Sequence, residues 1–333
     1  MSTSGSEVLT AQDYFRAGEL IREGELVVFP TETVYGLGAS AVNSTAVQRI
    51  YQAKERPQDN PLIIHFGTPE EILRTIPKDQ GLLRRAVEIF SPGPLTVIVP
   101  APAWAVPEVR HNLPTIAIRV PSSPLAQSII TAAGVPVAAP SANRSGRPSP
   151  TSAAMAYQEM NGRVAAVVDG GNCAVGIEST IIRAEADREL IILRPGSISK
   201  DDLTSALKCP VHYPSTATNI SGFVVPGSRY RHYQPSVPVV LIPPGAAEDA
   251  VAELRSLDKD IPYTLLTVQN QESYQRYAEQ LYRSFWLAEQ SDTRVILAEM
   301  PPAGVAEGLA DRLERAGTGM YKTGELNRLL FTE

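Results

Sequence analysis

A chain of 333 residues, 43% hydrophobic and 20% charged, is long enough for two domains with apolar cores of their own. The net charge of −6 and pI near 5.4 argue against general affinity for a polyanion, so nucleic acid held by bulk electrostatics is not expected. Cys173 and Cys209, without a C-x-x-C pair or a histidine cluster, support neither a disulfide framework nor a zinc site; with no leader-like N-terminus and no window of 18 apolar residues, a cytoplasmic location without membrane association is expected.

Taken in order, Thr10 to Glu23 reads as an amphipathic helix, with Thr10 and Asp13 as a capping box and Gly24 as its stop. Leu26 to Phe29 is a buried strand ended by Pro30. A hydroxyl-rich turn follows with Thr31, Glu32, Thr33 and Tyr35, and Gly36 and Gly38 allow a bend or a close approach to a ligand. Asn43 or Ser44 caps a helix whose apolar positions Val47, Ile50 and Tyr51 recur at helical spacing, and Pro57 predicts its end at Arg56. Lys54 and Arg56 thus stand at a helix C-terminus beside Asn60 and the strand Leu62 to Phe66, which carries His65. Cations in a last turn are favoured by the macrodipole alone, by about 0.3–1 kcal/mol, and most face solvent. The run GLGASA also fits a relaxed dinucleotide fingerprint, but PTETVY intervenes between it and the strand that such a fingerprint should follow directly.

Helices are expected near Glu70 to Arg74 and Gln80 to Phe90, a strand after the SPGP turn, a strand Thr115 to Val120 with Thr115, Ala117 and Arg119 on one face, a helix Pro124 to Ala133 and a strand Val135 to Ala139. The segment PVAAPSANRSGRPSPTSAA leaves that strand and enters a helix near Thr151, which puts its hydroxyls and amides where open α/β sheets place ligands, although Ser and Asn are also ordinary loop residues. Arg144 and Arg147 read as solvated charges. Val164 to Val168, Glu178 to Arg183 and Leu190 to Leu193 complete a mixed sheet. From Cys209 to Pro238 neither period is present, and the length marks a functional loop or disorder. Beyond it VPVVLIP, YTLLTV and RVILAEM alternate with three helices, the βαβ pattern of a small parallel sheet with no P-loop.

Eight motifs in order, PTETVYGLG, KERPQDNPLIIH, SPGPLT, TIAIRVPSS, APSANRSGRPSPT, GIEST, LRPG and RYRHYQP, resemble the YrdC-like threonylcarbamoyl-AMP synthases in their long, two-domain form. The resemblance implies a YrdC-like α/β catalytic domain with a mixed twisted sheet and an open cleft over residues 1–209, a linker or lid over 210–237, and a smaller Rossmann-like parallel α/β domain over 238–333. It implies synthesis of L-threonylcarbamoyl-AMP and pyrophosphate from L-threonine, bicarbonate or CO2, and ATP. The product would pass to a separate tRNA threonylcarbamoyl transferase that modifies adenosine 37 of ANN-decoding tRNAs.

Carried over residue by residue, Lys54, Arg56, Ser141 and Asn143 match the catalytic K-x-R and S-x-N tetrad. Arg56, Asn60, Thr115, Ser141, Ser149, Arg194 and Tyr230 match ATP-binding positions, with Tyr230 reaching back from the linker. Thr33, His65, Arg119, the Ala139 backbone and Ser179 match the threonine site, with Arg119 as a bidentate partner for the substrate carboxylate. Mg2+ is expected on the phosphates with no protein metal motif. Two departures flank the site: Arg183 follows GIESTII where the family often has Asp, and the linker carries VPGS. A non-catalytic RNA-binding module using the same basic cleft is the alternative, and a nicotinamide oxidoreductase built on GLGASA a weaker one.

Overall fold

The computed structural model describes residues 5–214, 232–257 and 259–331. They fall into two compact units, one drawn from Met1–Ser145, Ser149–Ala174 and Glu178–Tyr230, the other from Gly146–Pro148, Val175–Ile177 and Arg231–Glu333.

Among the described residues of the first unit, eleven strands build one sheet. In chain order they are β1 (Glu7–Leu9), β2 (Val27–Pro30), β3 (Tyr35–Ser40), β4 (Ile63–His65), β5 (Leu95–Pro100), β6 (Thr115–Arg119), β7 (Val137–Ala138), β8 (Ala166–Val168), β9 (Thr180–Glu185), β10 (Glu189–Arg194) and β11 (Val211–His212). The spatial order is β1-β8-β2-β3-β7-β4-β6-β5-β9-β10-β11. Parallel pairs such as β4 with β6 and β5 with β9 alternate with antiparallel ones such as β2 with β3 and β5 with β6, so the sheet is mixed, as the sequence predicts.

Alternation along the central strands decides which side chains meet the main core. Ile64, Ile116, Ile118, Val97, Val99, Ile182 and Ile192 join the large cluster that includes Val47, Ile50 and Val87. Residues of the opposite parity, Ile63, Ile98, Ala117 and Ile181, form a small separate cluster joined by Leu193. His65, Thr115 and Arg119 share the parity of that second face.

Two expectations change in the stretch 31–56. The glycines of GLGASA do not form a turn: only 31–34 turn, and Tyr35–Ser40 is the buried strand β3, paired antiparallel with β2. Gly38 is required there by packing, since a Cβ would lie 2.5 Å from a Phe29 ring carbon and 3.1 Å from Val137. The glycines serve sheet packing rather than a phosphate turn, and the dinucleotide alternative loses its structural context. The helix over Ser44–Lys54, capped by Asn43 accepting from the Ala46 amide at 3.1 Å, stops before Arg56. Glu55 turns left-handed at φ 52, and the Arg56 amide returns to the Tyr51 carbonyl at 2.9 Å.

Among its described residues the second unit holds four parallel strands, β12 (Val239–Ile242), β13 (Tyr263–Leu266), β14 (Val295–Glu299) and β15 (Gly319–Met320), in the order β13-β14-β12-β15. Helices Ala247–Leu257, Tyr274–Glu289 and Glu307–Ala316 connect them, and Val240, Ile242, Leu254, Val295 and Leu297 pack its core. This is the parallel α/β arrangement that the alternating strands and helices predict.

Gly196, in the LRPG motif, lies against main chain: a Cβ there would meet the Thr180 amide nitrogen at 2.4 Å and the Ser179 carbonyl carbon at 2.6 Å. Backbone cannot rotate aside as a side chain can. Gly196→Ala is therefore expected to lower stability by about 1–3 kcal/mol, read from the urea midpoint; an unchanged midpoint would contradict this packing.

Candidate active site

The first group of functional side chains is organised by Lys54. Its side chain ends the Ser44–Lys54 helix at 1% exposure, and Nζ donates to the carbonyls of Ser141 and, at 2.5 Å, Asn143. The Lys54 carbonyl in turn accepts from the Ser145 amide at 2.9 Å, so the S-x-N segment is fastened to both ends of one residue. Ser141 Oγ donates to Asn143 Oδ1 at 2.6 Å, and Asn143 Nδ2 donates to the Arg144 carbonyl at 2.8 Å. Arg56, half-buried, donates to the Asn60 and Pro61 carbonyls at 3.2 Å. Two pairs far apart in sequence, Lys54 with Arg56 and Ser141 with Asn143, thus share one neighbourhood with Asn60.

The second group stands on the sheet. His65 and Arg119 are register partners on β4 and β6, and the Ala139 amide donates to the Ile63 carbonyl at 2.9 Å, leaving its carbonyl as the group it can offer. Arg119 is 3% exposed: Nε donates to the Gly93 carbonyl (3.1 Å), Nη1 to Thr33 Oγ1 (3.0 Å), and Nη2 is ion-paired with Glu32. A bidentate grip on a substrate carboxylate therefore meets a guanidinium already engaged on three sides. Ser179 exchanges a hydrogen bond with Thr96 at 2.7 Å, while Arg194 donates to its carbonyl at 2.9 Å and to its hydroxyl at 3.1 Å. A register shift between Ile192 and Arg194 accompanies this placement, a device that re-aims a side chain at a strand end. Ser149, fully buried, donates to Glu178 at 2.5 Å, and Thr115 opens β6 half-buried.

Sequence reasoning missed Glu32 and Glu178, the acids that partner Arg119 and Ser149. Both lie inside quoted motifs, ETV and IEST, and an acid flanked by hydroxyls in a buried stretch is the signal that marks them. Arg144 and Arg147 are ion-paired rather than simply solvated, with Glu159 at 3.2 Å and Glu289 at 2.8 Å. Arg183 pairs with Glu185 at 2.6 Å. Tyr230 and most of the linker lie outside the described residues.

Burial dominates the electrostatics. It pushes the Lys54 ammonium well below its ordinary value, with the charge of Arg56 adding to the effect. His65 falls from 6.5 to about 3 because burial and then Arg119 disfavour the imidazolium. Cys173 is driven up by burial and by Glu32, so its thiol stays protonated.

Fold and site together define a mixed-sheet α/β protein with a group of buried basic side chains held by main-chain carbonyls. The chain belongs to the Sua5–YciO–YrdC family: the family model described as "Telomere recombination" matches residues 19–196, and one described as "Threonylcarbamoyl-AMP synthase, C-terminal domain" matches residues 198–318. A threonylcarbamoyl-AMP synthase of Bacillus subtilis is 44% identical over 68% of this chain, and one of Pyrococcus abyssi is 39% identical over 68%. The matched stretches span 65% and 66% of those relatives' own lengths. The crystal structure of P. abyssi Sua5 complexed with L-threonine superimposes with a TM-score of 0.84 at 30% identity, covering 95% of this chain and 99% of that one.

The His65 shift gives a testable pH dependence. The unfolded chain takes up a proton near pH 6.5 and the folded chain only near pH 3, so stability is full above pH 6.5 and is lost as pH falls towards 3. Between pH 7 and pH 4 this one group is expected to cost up to about 3 kcal/mol. His65→Gln should lose correspondingly less over the same interval in urea titrations; an identical loss would remove His65 as the cause.

Proposed function

We propose that this protein makes L-threonylcarbamoyl-AMP and pyrophosphate from L-threonine, bicarbonate or CO2, and ATP, the first step of N6-threonylcarbamoyladenosine formation at position 37 of ANN-decoding tRNAs. The observation that carries the proposal is the meeting of Lys54 with the Ser141–Asn143 segment beside Arg56, with a second set of polar groups, His65 and Arg119, paired in register on β4 and β6. The identity to named synthases, and the threonine held by P. abyssi Sua5, support it.

The chemistry asks for positioning and charge stabilisation rather than a covalent enzyme nucleophile. Threonine's nitrogen bonds to the carbon of CO2 with loss of a proton, or to that of bicarbonate with loss of water. A carbamate oxygen then attacks the α-phosphorus, the bond to the bridging oxygen of the β-phosphate breaks, and pyrophosphate leaves. Lys54 and Arg56 would face the polyphosphate, Ser141 and Asn143 would orient its oxygens, and Asn60, Thr115, Ser149 and Arg194 would hold the nucleotide. Thr33, His65, Arg119, the Ala139 carbonyl and Ser179 would enclose threonine. Among the described residues no three His, Cys, Asp or Glu side chains gather to hold a metal ion. The cationic and amide donors instead fit phosphate oxygens, and Mg2+ carried on the nucleotide would supply further positive charge to offset theirs. The product would leave for a separate tRNA-modifying transferase. The RNA-binding alternative draws less support, because Arg144 and Arg147 are engaged with glutamates.

Pyrophosphate release from ATP and Mg2+ should require threonine and bicarbonate together; release with neither, or none while RNA binds, would overturn the proposal. Lys54→Ala and Arg56→Ala should each fold and lose on the order of 10²-fold or more in synthesis. Near wild-type turnover in either would displace the tetrad assignment.

A further inference from the structure

We infer that Glu32 is a positioning and specificity residue that receives the α-amino group of the amino-acid substrate, and that Arg119 chiefly fixes Glu32 in place. The inference rests on the proposed threonine-activating site and adds to it the group that reads the substrate's nitrogen.

The direction of the hydrogen bonds around Glu32 supports this assignment. The Thr31 hydroxyl donates to the Val34 carbonyl at 2.7 Å, so in its 2.8 Å contact with Thr33 it can only accept, and Thr33 is the donor. With its hydrogen spent, Thr33 Oγ1 accepts from Arg119 Nη1 and can offer a ligand only lone-pair capacity. Arg119 spends Nε on the Gly93 carbonyl and Nη2 on one oxygen of Glu32. The second carboxylate oxygen, Oε2, is buried and has no hydrogen-bond partner among the described residues. A buried, unsatisfied carboxylate oxygen is costly, and such groups are retained where a ligand satisfies them.

The chemistry of the substrate matches that unpartnered oxygen. An amino acid brings an anionic carboxylate and a cationic ammonium on one carbon. Lys54, Arg56, Arg119 and Arg194 are donors and suit anions. Of the acceptors near Arg119, Thr33 is neutral and His65 is held neutral by burial, while Glu178 is engaged with Ser149. Glu32 is the acid beside Arg119, and its charge favours an ammonium or amine N–H over a hydroxyl. Anchoring the nitrogen there would also fix the atom that must bond to the incoming carbon.

The test compares L-threonine with its deamino analogue, the 2,3-dihydroxybutanoate of matching stereochemistry, by calorimetric binding and competitive inhibition in wild type, Glu32→Gln and Glu32→Asp. Wild type should bind threonine at least tenfold more tightly than the analogue. Glu32→Gln should raise the threonine KM at least tenfold, leave the ATP KM within about twofold, and collapse the preference for threonine. Glu32→Asp should recover part of that preference. If Glu32→Gln weakens both ligands equally, or keeps the preference, the inference is overturned and Glu32 serves only to hold Arg119. If the variants fail to fold, wild type alone decides, since equal affinity for threonine and the analogue overturns the inference. Wild type that binds no threonine at all would instead sink the proposed function.

Discussion

The site depends on how its buried basic side chains are held by main-chain carbonyls. Removing an ammonium or guanidinium from water costs several kcal/mol per ion unless its donors are satisfied. Here the satisfaction comes largely from main-chain carbonyls: Ser141 and Asn143 for Lys54, Asn60 and Pro61 for Arg56, Ser179 for Arg194, Gly93 for Arg119. Carbonyl dipoles fix the geometry of a basic side chain and satisfy its donors without adding a formal charge of their own.

That constraint explains the shape of the local fold. For Lys54 to reach two carbonyls, the helix must end at Lys54, the chain must turn at Glu55, and the 141–145 segment must lie across that end. The bridge between Gly36 and Ser141, and the Ala142 amide on the Tyr35 carbonyl at 2.8 Å, hold the segment against β3. The glycine that allows β3 to pack on Phe29 is thus part of the same support. Strand, helix end and loop make one unit, and the stretch from 27 to 66 contains most of it.

The periodic parts of this structure were legible in the sequence, and the anchoring was not. Alternation in TIAIRV and the Pro57 stop located Arg119, Lys54 and Arg56 to within two residues, because side-chain periodicity and proline sterics act locally. In the sequence β3 resembles a turn, since hydroxyls and glycines favour turns locally, whereas its pairing with β2 and β7 is a tertiary effect. Backbone carbonyls leave no mark in a sequence, so the partners of Lys54 and Arg194 could not be anticipated. The short strands β1, β11 and β15, of three, two and two residues, fall below the length at which a period can be recognised.

Arg119 adds a carboxylate, Glu32, to the carbonyl pattern, and the pair is buried together. Lys54 and Arg56 present donors, whereas around Glu32 and Thr33 acceptors gather. The proposed reaction, which brings a triphosphate to a zwitterionic amino acid, would need such a difference, since uniform positive charge would hold the carboxylate and repel the ammonium. On that proposal, fixed dipoles and the Arg119–Glu32 pair would supply it before any substrate arrives, the preorganisation that phosphoryl and adenylyl transfer depend on.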